Sequence, residues 1–329
     1  MRLSLVIPVW NDPEGLVRLL RQTHEMACFA EIIVSDDASD PPCGPQMAGL
    51  PAEVAADPRL VWLRSEDQRG AGHARNRALD RVSGSHVLFF DSDDLFLPDF
   101  GRLVAALETG AEPETDPFDF CLFCHVDSRV RATGRLGPLT GDERYWKAAG
   151  ATETPAPIGT ATATQLCRIA AYPWNKIYRT GFLRDNAIRC TEIPVHNDVE
   201  LHWMSFLKAR RILVSSLLGC EHFVVDRGQR LTNRRGEERF AVFQALEAVQ
   251  AELLRNPRMT DFAEPFAEFY TRLFGWIRDA LTPDLRGDFA GLVRNFLLHR
   301  LPEPLFTLLA LHHPALTARM LRLMRETAA

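Results

Sequence analysis

The sequence predicts an α/β protein: a doubly wound sheet begun by residues 1–100, a second half to residue 235, and a helical C-terminal region over 236–329. Three observations carry this. Short apolar runs of strand type alternate with segments of helical spacing up to Asp94. Two of the runs stop abruptly in acids, at Asp36-Asp37 and at Asp91-Ser92-Asp93-Asp94. From Glu237 onward the apolar residues recur only at helical spacing, as in Phe240, Phe243, Leu246, Val249 and Leu253.

Taken in order, Leu3 to Val9 reads as the first strand. Asp12 then N-caps a helix with Pro13 at its first position, and Leu16, Leu19, Leu20 and Thr23 mark that helix's apolar face. Glu31 to Ser35 is a second buried strand. Pro41 to Asp57, rich in Pro, Gly and Ala, is expected as a loop with at most a short helix, and Arg59 to Leu63 as a third strand. Gly70 to Leu79 is a glycine-opened helix carrying Arg75, Arg77 and His73. Its free amino end favours an anion, although the Gly-x-Gly spacing matches neither a dinucleotide fingerprint nor a P-loop. The bland reading of that helix is a solvated amphipathic surface.

Val87 to Phe90 is a continuous apolar run of a buried parallel strand. Carboxylates do not stay buried unpartnered, so its terminal acids mark an open edge, the carboxyl end of a strand where such sheets hold ligands. Asp91 and Asp93 stand two apart, close enough to chelate one hard cation, while Asp94 is placed to cap the next helix. Phe118 to Val126 is a further strand, and the stretch to residue 170, including Thr160 to Thr164, is expected to be loop-rich. Arg211 to Leu218 and Cys220 to Val225 read as two more strands. In the tail, a second stripe (Phe262, Phe266, Phe269, Leu273, Trp276, Ile277) and a leucine-rich end with Arg319, Arg322 and Arg325 suit core, a homodimer interface or peripheral membrane contact.

Composition bounds the function. At 329 residues, 46% hydrophobic and 25% charged, the chain is an ordinary globular protein. A net charge of -5 argues against nucleic acid as a partner. Neither a signal peptide nor an apolar run long enough for a membrane span is evident, which places the chain in the cytoplasm or peripherally at the inner face of the membrane. Seven scattered cysteines fit a reducing compartment, and Cys121-x-x-Cys124, lacking a second pair, reads as packing rather than a zinc site.

Leu5 to Asn11, Val34 to Asp40, Gly70 to Asn76 and Phe89 to Asp94 follow one another as in family 2 glycosyltransferases of the GT-A fold, and the chain resembles bacterial members that build surface polysaccharides. The resemblance implies a Rossmann-like, doubly wound mixed sheet forming a catalytic domain over 1–235. It implies a nucleotide pocket opened by Pro8 and Val9, with Asp36 and Asp37 at the base, Gly70, Arg75, Asp91 and Ser92 around the donor, and Asp93 with Asp91 on Mg²⁺ or Mn²⁺. His222 is a further metal or phosphate contact. Trp174-Asn175-Lys176 resembles an acceptor-side segment of these proteins, with Trp174 offering a face to a sugar ring and Asn175 and Lys176 bonding hydroxyls or phosphate. A buried aromatic strand is the alternative there. Asp198 occupies the position of the catalytic base, and Asn197 stands where the family usually has Glu; His196 is a backup base. Arg227, Arg230 and Arg234 resemble an arginine-rich loop that closes on the diphosphate. The implied activity is inverting transfer from a nucleoside-diphosphate sugar, a UDP-sugar favoured, to a saccharide or lipid-linked acceptor. A sugar nucleotidyltransferase would need a glycine-rich basic loop after the first strand, which Trp10-Asn11-Asp12-Pro13 is not. A non-catalytic sugar-nucleotide-binding subunit is the other alternative.

Overall fold

The computed structural model describes residues 1–110, 117–224 and 234–325. Among them one mixed sheet gathers β1 (Leu3–Val9), β2 (Phe29–Asp36), β3 (Leu60–Arg64), β4 (His86–Phe89), β5 (Leu95–Phe96), β6 (Phe120–Asp127), β7 (Ala156–Ile158), β8 (Lys176–Arg179) and β9 (Ile212–His222). The order across the sheet is β3-β2-β1-β4-β8-β6-β9-β5, with β7 also on β9. β3, β2, β1 and β4 run parallel. β8 is antiparallel to β4 and β6, β9 is parallel to β6, and β5 and β7 are antiparallel to β9. The chain winds outward from β1 to β3, then returns to lay β4 on the other side of β1. That reversal opens a crevice at the carboxyl ends of β1 and β4.

Alternation along the strands explains why the runs look uniformly apolar. Leu3, Leu5, Ile7 and Val9 of β1, with Leu88 and Phe90, join Leu16, Leu19, Leu20, Phe100 and Leu103 on one side of the sheet. Val6, Ile33, Val87 and Phe89 face the other side, against Ala78, Leu79, Tyr178 and Phe182. Both faces are covered, so successive side chains are all buried. The same alternation sends Cys121 and Cys124 into different clusters on opposite faces, and they cannot share a metal.

The helix Pro13–His24 starts as expected, with Pro13 first and the Gly15 amide bonded to Asp12 Oδ1 at 3.1 Å. The structure departs from expectation in four places. Thr140–Ala149 and Thr160–Leu166 are helices rather than loop: they pack on each other, the second also on the helix Met259–Ala280, and their buried residues (Tyr145, Trp146, Ala163, Leu166) join the cluster shared by sheet and tail. Ile212 to His222 is one long strand, its pairing with β6 continuing across Gly219 with register shifts. Asp94 does not cap a helix: Leu95 and Phe96 pair with Glu221 and Cys220, and the next helix starts at Asp99.

The tail folds as helices Val242–Arg255, Met259–Ala280, Arg286–Arg300, Glu303–His312 and Pro314–Arg325. Their apolar stripes turn inward. Trp203, in the helix Val199–Lys208, meets Phe266 and Phe269 edge-on at 4.9 and 5.3 Å, so one hydrophobic cluster runs from the sheet into the tail. Among the described residues, no helix is long and apolar enough to cross a membrane.

Candidate active site

The carboxyl ends of β1, β2 and β4 are stitched into one edge. The Asp37 amide bonds to Val9 O, the Phe90 amide to Val6 O, and Ser92 Oγ donates to Asp12 Oδ2 at 2.7 Å. The Asn11 amide donates to Ser39 Oγ, and Asn11 Oδ1 accepts from the Asp40 amide, both at 2.8 Å. Asn11 and Ala38 hold left-handed backbone, at φ 51° and 63°, where the chain turns sharply out of β1 and β2.

The acids along this edge have separate employments. Asp36 is 0% exposed and accepts from the Ser39 and Cys43 amides and from the Arg64 guanidinium. Its expected role at a nucleotide base is therefore corrected: it is a strut that shapes the loop after β2. Asp37 accepts from the amides of Arg69 and Gly70 and ties that loop to the glycine turn. Gly70 takes φ +92°, a conformation L side chains rarely adopt. Pro8 lies in β1, and Val9, also buried, closes the strand beneath the crevice.

Asp91, Asp93 and Asp94 each place a carboxylate oxygen within 4.8 Å of the others. An all-oxygen set of this size suits a hard divalent cation, and it is where Mg²⁺ or Mn²⁺ fits. Asp91 and Asp93 are partly exposed, whereas Asp94 is buried and accepts from the Phe223 amide at 2.8 Å. His222 lies against this set. Its Nδ1 lies 3.0 Å from Asp94 Oδ2, and although burial opposes its charge, Asp94, Asp91 and Asp93 raise its pKa. His222 is thus a counter-ion set against the acids, beside the position of its expected contact.

The helix Ala71–Leu79 is no solvated surface. Asn76 exchanges hydrogen bonds with both backbone groups of Cys190, and Glu192 gathers Asn76, His73 and Arg69. Arg69 thus spends its side chain on Glu192. A Cβ on Gly72 would sit 2.4 Å from the Thr191 carbonyl oxygen, so only glycine permits this approach. Arg75, 5% exposed, reaches Asp91 Oδ1 at 2.5 Å with one nitrogen and Asn197 Oδ1 at 2.6 Å with another. Burial opposes its charge, but Asp91, Cys190 and Asp198 outweigh burial and keep it protonated. Sequence reasoning missed Gly72, Asn76 and Glu192; the four-residue spacing of Gly72 and Asn76, one face of a helix, was the available signal.

Asp198 stands at the N-terminus of the helix Val199–Lys208 without capping it through its side chain. Burial, opposed by Arg75, raises its pKa to about 6. His196, in left-handed backbone at φ 65°, turns instead to Arg239, whose guanidinium lies 3.3 Å from its Nε2. Burial and Arg239 lower its pKa to about 3, so it is neutral and its facing nitrogen is committed. It is not a second base.

Trp174, Asn175 and Lys176 lie beneath the site rather than in it. Trp174 is 1% exposed and stacks on Tyr172 and His222, so it offers no face to a sugar ring, a correction to the acceptor reading. Lys176 is fully buried and does not snorkel; its ammonium donates to Tyr172 O and Asn175 Oδ1 at 2.6 and 2.8 Å. Burial lowers its pKa to about 7. Asn175 is likewise buried, and Asn197 is held by Arg75 rather than presented to an acceptor. Arg227 and Arg230 lie outside the described residues.

Residues 4–113 match the family model of Glycosyl transferase family 2. The amylovoran biosynthesis glycosyltransferase AmsB of Erwinia amylovora is 34% identical over 98 residues, 28% of this chain and 30% of AmsB. The succinoglycan biosynthesis protein ExoO of Rhizobium meliloti is 29% identical over 121 residues, 35% of this chain and 33% of ExoO. The chain thus spans about a third of the length of these relatives. Among solved structures, Staphylococcus aureus TarS 1-349 in complex with UDP-GlcNAc superposes with a TM-score of 0.74 at 21% identity, covering 99% of this chain and 90% of that one. A mannosyltransferase of Pyrobaculum calidifontis, in complex with GDP-Man and Mn²⁺, superposes at 0.54 with 18% identity, covering 98% and 85%. These likenesses are of fold, and the fold is the GT-A architecture with a helical C-terminal region.

Proposed function

We propose that this chain, which carries a Glycosyl transferase family 2 domain over residues 4–113, is an inverting glycosyltransferase of polysaccharide or glycolipid biosynthesis that uses a UDP-sugar. The observation that carries the reading is Arg75, which joins Asp91, just past β4, to Asn197 in the loop bearing Asp198, and so would hold a base across from a diphosphate site. The nucleotide would lie in the crevice between β1 and β4, bordered by Asp37 and the glycine turn. TarS, of the same fold, binds UDP-GlcNAc, which supports the choice of donor.

Asp91, Asp93 and Asp94 would hold Mg²⁺ or Mn²⁺, which when bound offsets negative charge on the leaving diphosphate. Arg75, charged and buried, orients Asp91 and keeps Asn197 in place. Asp198 is ionised at neutral pH yet more basic than an ordinary aspartate. It would accept the proton of the incoming hydroxyl as the glycosidic bond breaks, with attack opposite the leaving group inverting the anomeric carbon. Catalytic domain 1–235 and helical region 236–329 remain the proposed division.

Calorimetry with UDP, GDP, CDP and dTDP, each with Mn²⁺ and with EDTA, tests the donor site. One nucleotide is expected to bind tightly, with binding lost in EDTA and in Asp93→Ala. No metal-dependent binding to any of them would overturn the reading. Asp198→Asn should keep donor binding while turnover of the UDP-sugar falls about 10²–10⁴-fold; weakened binding with normal turnover would remove Asp198 from its role.

A further inference from the structure

A second basic site opens on the tail, away from the acids of the sheet. Thr271, Arg272, Gly275, Trp276, Arg278 and Asp279 of one helix face Arg319, Arg322 and Leu323 of the last across a cavity of about 450 Å³. Four arginines meet one aspartate there. Arg272 is spent on Tyr145 Oη and the Arg168 carbonyl, and Arg278 on Asp279. Among the described residues, Arg319 and Arg322 make no hydrogen bond or ion pair. Neither is needed for folding in the way the buried arginines are, and both guanidinium groups keep their forks open for a planar or tetrahedral anion.

Trp276 gives this cavity a second recognition element and a direction. It is 46% exposed, unusual for the largest side chain on a helix whose other aromatics are buried. Arg239 covers its ring at 4.5 Å, and His196 meets it edge-on at 5.4 Å. His196 is two residues from Asp198 in the same turn. The cavity therefore adjoins the loop that carries Asp198.

We infer that this cavity binds the body of an acidic glycan acceptor, saccharide bearing phosphate or carboxylate groups, with Arg319 and Arg322 on the anions and Trp276 against a sugar ring. The inference rests on the glycosyltransferase reading for its meaning, but its binding test does not. Arg and Trp together match such a ligand better than either matches a neutral glucan: the charge selects the anion, and the flat indole fills apolar ring faces.

The test uses the full chain and titrates oligogalacturonate and a phosphorylated mannan oligosaccharide, with neutral maltooligosaccharide as control, followed by calorimetry at 150 mM salt. At least one acidic probe is expected to bind and the neutral one not. Arg319→Ala/Arg322→Ala and, separately, Trp276→Ala should each weaken binding about tenfold or more, while UDP affinity is unchanged. Arg102→Ala/Arg135→Ala, on exposed surface elsewhere, should leave binding intact. Equal binding of the neutral probe, or equal losses in the Arg102/Arg135 variant, would overturn the site. Anionic phosphatidylglycerol vesicles binding through the same two arginines, with no glycan binding, would overturn it in favour of a lipid surface. Loss of nucleotide binding in every form, with acidic-glycan binding retained, would sink the donor reading and leave the cavity standing.

Discussion

At Asp198 burial pulls against charge, and the balance has two measurable consequences. The carboxylate must be ionised to accept a proton, so the acidic limb of turnover is expected near pH 6, falling about tenfold for each pH unit below it. Lys176 is one of the cations that lower this pKa, and Lys176→Met is expected to move the limb to higher pH in a pH-rate profile. Folded Asp198 keeps its proton up to about pH 6, whereas an unfolded aspartate loses it near ~3.9. Between those values the folded state binds the extra proton, so this group's effect on stability worsens as pH rises through 6. Asp198→Asn removes that effect. Its melting temperature should exceed that of the wild type at pH 8, with the gap narrowing towards pH 4.

The decisive element is the helix Ala71–Leu79, which works as a bracket. One of its faces packs on the sheet through Ala78 and Leu79, and another holds the loop from Cys190 to Asn197 through Gly72, Asn76 and Arg75. Gly72→Ala would push a methyl group to 2.4 Å from the Thr191 carbonyl oxygen and 3.0 Å from Asn197 Cβ. Neither is the end of a flexible side chain, so the loop must shift. A loss of about 1–3 kcal/mol is expected in denaturant unfolding, with a larger fall in turnover than in nucleotide binding because the base moves and the β1–β4 crevice does not. Wild-type stability would show that the loop gives way freely and that its position is set elsewhere.

On the scale of the whole molecule, the tail completes a core begun by the sheet. Trp203 and Phe206 are buried, and Phe266, Phe269 and Tyr270 belong to the same cluster. A chain ending at residue 235 would bare the aromatic face of the helix Val199–Lys208, an area too large and too apolar to leave in water. Such a truncation is expected to lose cooperative unfolding and to bind a hydrophobic dye; a sharp melt with retained nucleotide binding would mean that the first 235 residues stand alone.

Much of this was legible in the chain. Strands β1 to β4 and the cap at Asp12 follow from apolar runs and local turn chemistry, because a sheet buried on both faces leaves an uninterrupted record in sequence. The acids at Asp91 and Asp93 were legible too, since a buried strand that ends in carboxylates has to open onto water or a cation. Tertiary structure decided what the local record cannot hold. Asp36 and Asp37 look alike in sequence, and only the surroundings make one a buried strut and the other a tie to the glycine turn. Trp174 and Lys176 carry the residue types of a sugar site, yet the neighbouring strands bury them. The helices at 140–149 and 160–166 form because they pack on each other and, for the second, on the helix Met259–Ala280 of the tail. Periodicity and composition report how each segment meets its nearest layer; which polar side chains are satisfied, and by whom, depends on residues more than a hundred positions away, as Arg75 and Asn197 are.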